Sequence, residues 1–163
     1  MKNKNFINFI QKDFINIFRI ILFNKNSIIK TSKNQNFIYT GILFIFVSTF
    51  ISSLNYAFSL FGYIVQTIVL ILILFFFHLI AKYLFEGKSN FLNYFLVISN
   101  VFILYLLTVI PLVLIQLLVG IFVFILNIYI IEIIYKISRI KSILISVISL
   151  IFLYLLTNLI YLI

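Results

Sequence analysis

The chain has 163 residues, 65% of them hydrophobic and only 9% charged, with a mean hydropathy of +1.30. Soluble domains carry about 45–50% apolar and about 25% charged residues, so a water-soluble core is excluded and the class is polytopic membrane protein. A formal charge of +9 would point to nucleic acid in a soluble protein. Here the basic residues flank apolar spans, so anionic headgroups and topology account for them and nucleic acid is not expected.

Composition also removes much chemistry. There is no cysteine, hence no disulfide, thiolate metal site or cysteine nucleophile. A single histidine, His78, rules out a multi-histidine metal site within one chain. Asp13, Glu86 and Glu132 are scattered along the sequence, whereas acid–base catalysis by paired carboxylates needs them close together. The expectation is a protein that is not an enzyme, with no cofactor and no metal.

In chain order, residues 5–21, "NFINFIQKDFINIFRII", come first. At 100° per residue Asn5, Asn8, Lys12, Asn16 and Arg19 cluster on one face, and Phe6, Ile7, Ile10, Phe14, Ile17, Phe18 and Ile21 fill the other. Such a helix lies in the membrane interface; packing on the ends of the bundle is a compatible alternative. Residues 24–36, "NKNSIIKTSKNQN", read as a polar linker. Residues 1–36 are basic and polar throughout, with no small-residue cleavage site, so a cytoplasmic segment is expected rather than a cleaved signal peptide.

Three long stretches then lack charge: Lys33 to Lys82, Lys88 to Glu132, and the residues after Lys141. A crossing needs about 20 residues. One helix through the second stretch would be about 65 Å long at 1.5 Å per residue, twice the bilayer core. The first two stretches therefore fold back, near Asn55, Ser59 and Gly62 in one and at Thr108 to Pro111 in the other. The prediction is an all-α membrane bundle over 37–163 with five spans near 37–57, 62–82, 91–110, 112–131 and 143–163. Five spans put all twelve basic residues on one side, so the N-terminus is expected in the cytoplasm and the C-terminus outside or in a lumen.

The polar residues inside or beside the spans are the candidate sites. His78 reads either as a proton relay or as a neutral imidazole bonded to a neighbour, and the absence of span carboxylates favours the second. Gln66, Asn100, Gln116 and Asn127 are amides suited to hold helices together; their depths pair Gln66 with Gln116 and His78 with Asn127, which suggests contact between spans two and four, although 12 residues turn about 120° and 11 only about 20°, so both pairs do not align simply. Glu132 has Lys136 at i+4 and Glu86 has Lys82 at i−4, both within reach of a helix ion pair. Tyr39, Tyr56, Tyr63, Tyr83, Tyr135 and Tyr161 fall near span ends and fit an interfacial belt. Ser48 with Ser52, and Ser142 with Ser146, give the small-xxx-small spacing of close helix packing, which a homo-oligomer or the spans of one chain can use.

Residues 75–156 resemble the Yip1 domain family. The likeness rests on "FFFHLIAKYLFEGKSNFLNYFLVISN" followed by an apolar hairpin and "FILNIYIIEIIYKISRIKSILISVISLIFLYLL". Family members show a span ending in a Gly-rich basic turn followed by Phe, matched here by Gly87, Lys88, Ser89 and Phe91. They also show a Ser-basic-x-Lys-Ala-like turn before the last span; "SRIKS" matches it with Ser142 in place of Ala. The resemblance implies five spans, a cytosolic N-terminus and a short external or lumenal C-terminus. Eukaryotic members carry a cytosolic Asp-Leu-Tyr-Gly-Pro motif and imply Rab GTPase binding in ER–Golgi traffic. This chain is more similar to the short prokaryotic-type members, which places it in a plasma membrane if prokaryotic and an ER or Golgi-type membrane if eukaryotic.

The expected function is membrane organisation or trafficking-type interaction. Lys12, Arg19, Lys82, Glu86, Gly87, Lys88, Ser138, Arg139 and Lys141 would meet anionic headgroups or other membrane proteins. The rival is a small transporter or permease subunit with His78 and the span amides along a path.

Overall fold

The computed structural model describes residues 13–54, 60–110 and 112–161, with positions 153 and 156–161 as backbone. Lys12, the first half of the expected amphipathic helix, the bend at 55–59 and Pro111 lie outside the described residues. Those described form helices and turns without a strand. α1 covers residues 13–21, α2 Lys25–Ser32 and α3 Phe37–Leu54. α4 covers Leu60–Leu79 and continues as a π-helical turn, Ile80–Leu84. α5 covers Phe91–Val101 and continues as a 3₁₀ helix, Phe102–Val109; α6 covers Val113–Tyr135 and α7 Arg139–Tyr161.

Four of these are long and apolar enough to cross a membrane: Phe37–Leu54, Leu60–Leu84, Phe91–Val109 and Val113–Tyr135. The protein is a helical membrane bundle. Large apolar side chains stay exposed along α3, α4, α6 and α7, among them Phe46, Ile68, Leu118 and Ile151, as lipid contact requires and water would not tolerate. The third span is the central one. It packs against α2, α3, α4 and α6, and 56% of its spanning window is buried, against 33–39% for the other three.

Local signals explain most ends. Asn90 caps α5, its Oδ1 accepting from the Asn93 N–H at 2.9 Å, while Asn93 Nδ2 donates to Ser89 Oγ at 3.3 Å. The first bond is an ordinary side-chain N-cap, and the second ties the first turn of α5 to the residue before the cap. Ile110 is extended, with ψ 114°, as a residue before proline should be.

The expected polar linker at 24–36 is instead largely the helix α2. Arg19 O accepts from Asn24 N at 2.9 Å and Ile20 O from Phe23 N at 2.9 Å, with Phe23 left-handed at φ 58°, which is a Schellman end for α1. Asn24 then caps α2 through the Ser27 N–H at 3.0 Å. One residue closes a helix and opens the next, so polar composition here marks caps rather than disorder. Ser27, Ile28, Thr31 and Ser32 are buried against the bundle.

α1 also differs from a plain interfacial helix. Phe14, Ile15, Phe18 and Leu22 are exposed, but Ile17 and Ile20 enter the core and Asn16 is buried with them. The helix therefore lies between bundle and lipid, with Ile17 and Asn16 turned inward despite belonging to opposite expected faces.

Candidate functional site

Several residues singled out by sequence, His78, Gly87, Lys88, Asn127 and Tyr135, meet where α4, α5, α6 and α7 turn. His78 Nδ1 lies 2.7 Å from the Tyr135 hydroxyl, joining α4 to the end of α6. Tyr94 donates to Asn127 Oδ1 at 2.9 Å, joining α5 to α6. The rings of Tyr94 and Tyr135 lie 5.8 Å apart, so the two pairs form one buried cluster. His78 also meets the rings of Phe75 and Phe91. Spans two and four do meet, but through the Tyr135 hydroxyl rather than from His78 to Asn127.

Tyr135 was expected at the membrane surface and is fully buried; of the expected belt, the side chains of Tyr56 and Tyr161 lie outside the described residues, and among those described Tyr39 and Tyr83 are exposed, at 77% and 70%. The reason is the loop that covers it. Lys88 N–H donates to Tyr135 O at 3.1 Å, and Gly87 N–H to Ala81 O at 2.8 Å. Gly87 has no positive φ; that conformation falls on Glu86, at φ 57°. Gly87 is needed for closeness, since a Cβ there would sit 2.7 Å from both Ala81 O and Tyr135 Cδ1.

Asn100 is the second tie. Its Nδ2 donates to Phe37 O at 3.1 Å and to Leu96 O at 2.8 Å, and its Oδ1 accepts from Thr40 Oγ1 at 2.8 Å. This locks α5 to the start of α3 beside Gly41, where an added Cβ would collide with the Ser99 side chain. Gln66 is half-buried with Oε1 unpartnered, and Gln116 is half-buried on α6.

The charged residues are arranged differently from the helix spacing. Glu132 pairs with Arg139, Oε2 to Nε at 3.0 Å, not with Lys136. α6 ends at Tyr135 and Lys136 is left-handed, φ 56°, so it leaves the helical register that an i+4 pair needs. Glu86 leaves the register of Lys82 in the same way, and the Lys82 ammonium lies 5.7 Å from the Tyr83 ring centre. The carboxylate of Glu132 holds the Arg139 guanidinium above its ordinary range. Ser138 opens α7: its carbonyl accepts from Ser142 N at 3.1 Å and from Ser142 Oγ at 3.2 Å. Ser142 is itself fully buried, which explains a small residue there.

Because Lys88 is bonded to the last residue of α6, the loops 85–90 and 136–138 form one surface carrying Lys82, Glu86, Lys88, Lys136, Arg139 and Lys141. Arg19, Lys25, Lys30 and Lys33 of the α1–α2 hairpin are also exposed, on elements packed against α5 and α6. Among the described residues no group of three His, Asp or Glu could hold a metal ion.

Fold and site together define a multi-pass helical membrane protein in which His78, Tyr94, Asn100, Asn127 and Tyr135 tie spans to one another. Comparison of the chain with protein-family models, with curated proteins and with solved structures finds no match.

Proposed function

We propose that the chain is a non-enzymatic, five-span membrane protein of Yip1 type that organises membrane or holds partners at a basic cytoplasmic face. The observation that carries this reading is the bond from Lys88 N to Tyr135 O. It joins two separate basic loops into one platform, while the polar groups beneath are paired with each other. α7, 23 residues long, supplies the fifth crossing, and the one-sided charge then sets the N-terminus in the cytoplasm. The exposed Phe14, Phe18 and Leu22 suit α1 to rest among acyl chains beside the platform.

The chain has no native cysteine, so single cysteines test the topology cleanly. At Ser89 and Ser138 they should be shielded from an impermeant thiol reagent in sealed cells and react once the membrane is opened; one added after Ile163 should label from outside. Labelling of Ser89 and the C-terminal position from the same side removes the five-span reading. For the function, Lys88→Glu with Arg139→Glu should abolish partner cross-links from Ser89 while leaving expression unchanged. Solute flux in reconstituted vesicles that depends on His78 and Asn127 would replace this reading with the transporter.

A further inference from the structure

A cleft of about 370 Å³ opens at the basic end between α6, α7 and the α1–α2 turn. Ile125, Ile128, Tyr129 and Glu132 line it from α6, Arg139 and Ile143 from α7, and Phe23 from the turn. The α6 residues are spaced i, i+3, i+4, i+7, so they form one stripe of the helix. Phe23 is set across this stripe by its left-handed backbone and meets the Phe122 and Tyr129 rings edge-on, at 5.7 and 5.4 Å.

The cleft is graded along its length. Glu132 and Arg139 stand at one end, and Ile125, seven residues away, is about 10 Å further along the helix axis. Ile125 and Ile143 are 49% and 41% exposed, beside the exposed Ile140 and Leu144, so the side wall opens on the surface that faces lipid. Its apolar length is reached from the bilayer and its charged end from the headgroup layer. A lipid is already there.

The ion pair selects among lipids. Its two charges cancel, so a simple anion or cation gains little from it. A headgroup carrying both a phosphate and an ammonium is complementary: the ammonium donates to the Glu132 carboxylate and the Arg139 guanidinium donates to the phosphate. The pair can open to do this because it lies at the surface, with the Arg139 side chain 67% and the Glu132 side chain 27% exposed, and surface ion pairs contribute little stability by themselves.

We propose that this cleft is a binding site for phosphatidylethanolamine, with the headgroup across Glu132 and Arg139 and an acyl chain along Ile125, Ile128 and Phe23. The proposal rests on this end lying at headgroup depth. It does not depend on which leaflet that is.

Native mass spectrometry of the detergent-released full chain tests it, with phosphatidylethanolamine, phosphatidylcholine and phosphatidylglycerol of identical acyl composition as probes. Phosphatidylethanolamine should bind about tenfold more tightly than the other two, the worth of one charge-assisted hydrogen bond. Phosphatidylcholine has a cation but no N–H donor, and phosphatidylglycerol has no cation for Glu132. Glu132→Gln should reduce the preference over phosphatidylglycerol to within about twofold, and Arg139→Gln should weaken all three. Ile128→Trp, which fills the cleft, should lower occupancy by every lipid; if it fails to fold, Glu132→Gln, at the rim, carries the test alone. Equal affinities for the three headgroups, or a preference that survives Glu132→Gln, overturns the proposal. Neither result bears on the cysteine-labelling topology, so the two readings fail separately.

Discussion

Alanine at Gly87 would place a methyl group 2.7 Å from Ala81 O and 2.7 Å from Tyr135 Cδ1. One obstacle is backbone and the other a fully buried ring, so neither can yield by a rotamer change. The loop must lift, loosening the bonds from Gly87 N to Ala81 O and from Lys88 N to Tyr135 O. Two strained hydrogen bonds and an overpacked contact together cost about 2–3 kcal/mol. For a chain of this length that is a fall in Tm of about 4–12 °C. Glycine at Glu86 should do the opposite. Glu86 is left-handed at φ 57°, where an L side chain costs about 1 kcal/mol, so Glu86→Gly should raise Tm by about 2–4 °C. Thermal unfolding in detergent, followed by helical circular dichroism, measures both. If Gly87→Ala unfolds like the parent chain, the close docking of this loop on α6 is wrong. A fall with Glu86→Gly would mean that the strained conformation has been assigned to the wrong residue.

Tyr135→Phe removes the hydroxyl 2.7 Å from His78 Nδ1 and should destabilise by about 1 kcal/mol, whereas His78→Gln should cost less because an amide can keep the bond. In a double-mutant cycle with His78→Leu, which removes the ring nitrogens, Tyr135→Phe should couple by about 0.6–1.7 kcal/mol; additive losses would show that the bond does not hold α4 to α6. Asn100→Leu should cost about 1–2 kcal/mol in the same unfolding assay by releasing Phe37 O and Thr40. Thr40 Oγ1 also lies 3.1 Å from Phe37 O, so Thr40→Val should cost less in the Asn100→Leu background than alone, and a full additive loss would contradict the shared tie.

Hydropathy alone located the spans. A backbone in lipid must satisfy its hydrogen bonds within its own segment, so a long apolar run can hardly be anything but a helix, and the charge-free intervals after Lys33 and Lys88 each hold two. The cap at Asn90 is local in the same sense, since Asn93 is its neighbour in sequence. Asn24 carries an equally local signal, but the surrounding lysines and asparagines resemble a linker until the buried Ile28 and Thr31 show what α2 packs against.

The partners across helices were not legible. These spans are apolar nearly all round, so no stripe marks the buried face and the rotation of each helix is hidden. Packing density and the pairing of buried polar atoms set that rotation. Tertiary structure therefore decided that His78 meets Tyr135 and Asn127 meets Tyr94, and that Asn100 reaches back to Phe37. It also decided that Glu132 bonds Arg139 across a turn, because α6 stops one residue short of Lys136. The charge-free intervals alone lead to the expectation that the basic residues share one side of the bundle. Only the docking of Gly87 and Lys88 onto Tyr135 made those charges a single surface, since that contact joins residues far apart in the chain at one helix end.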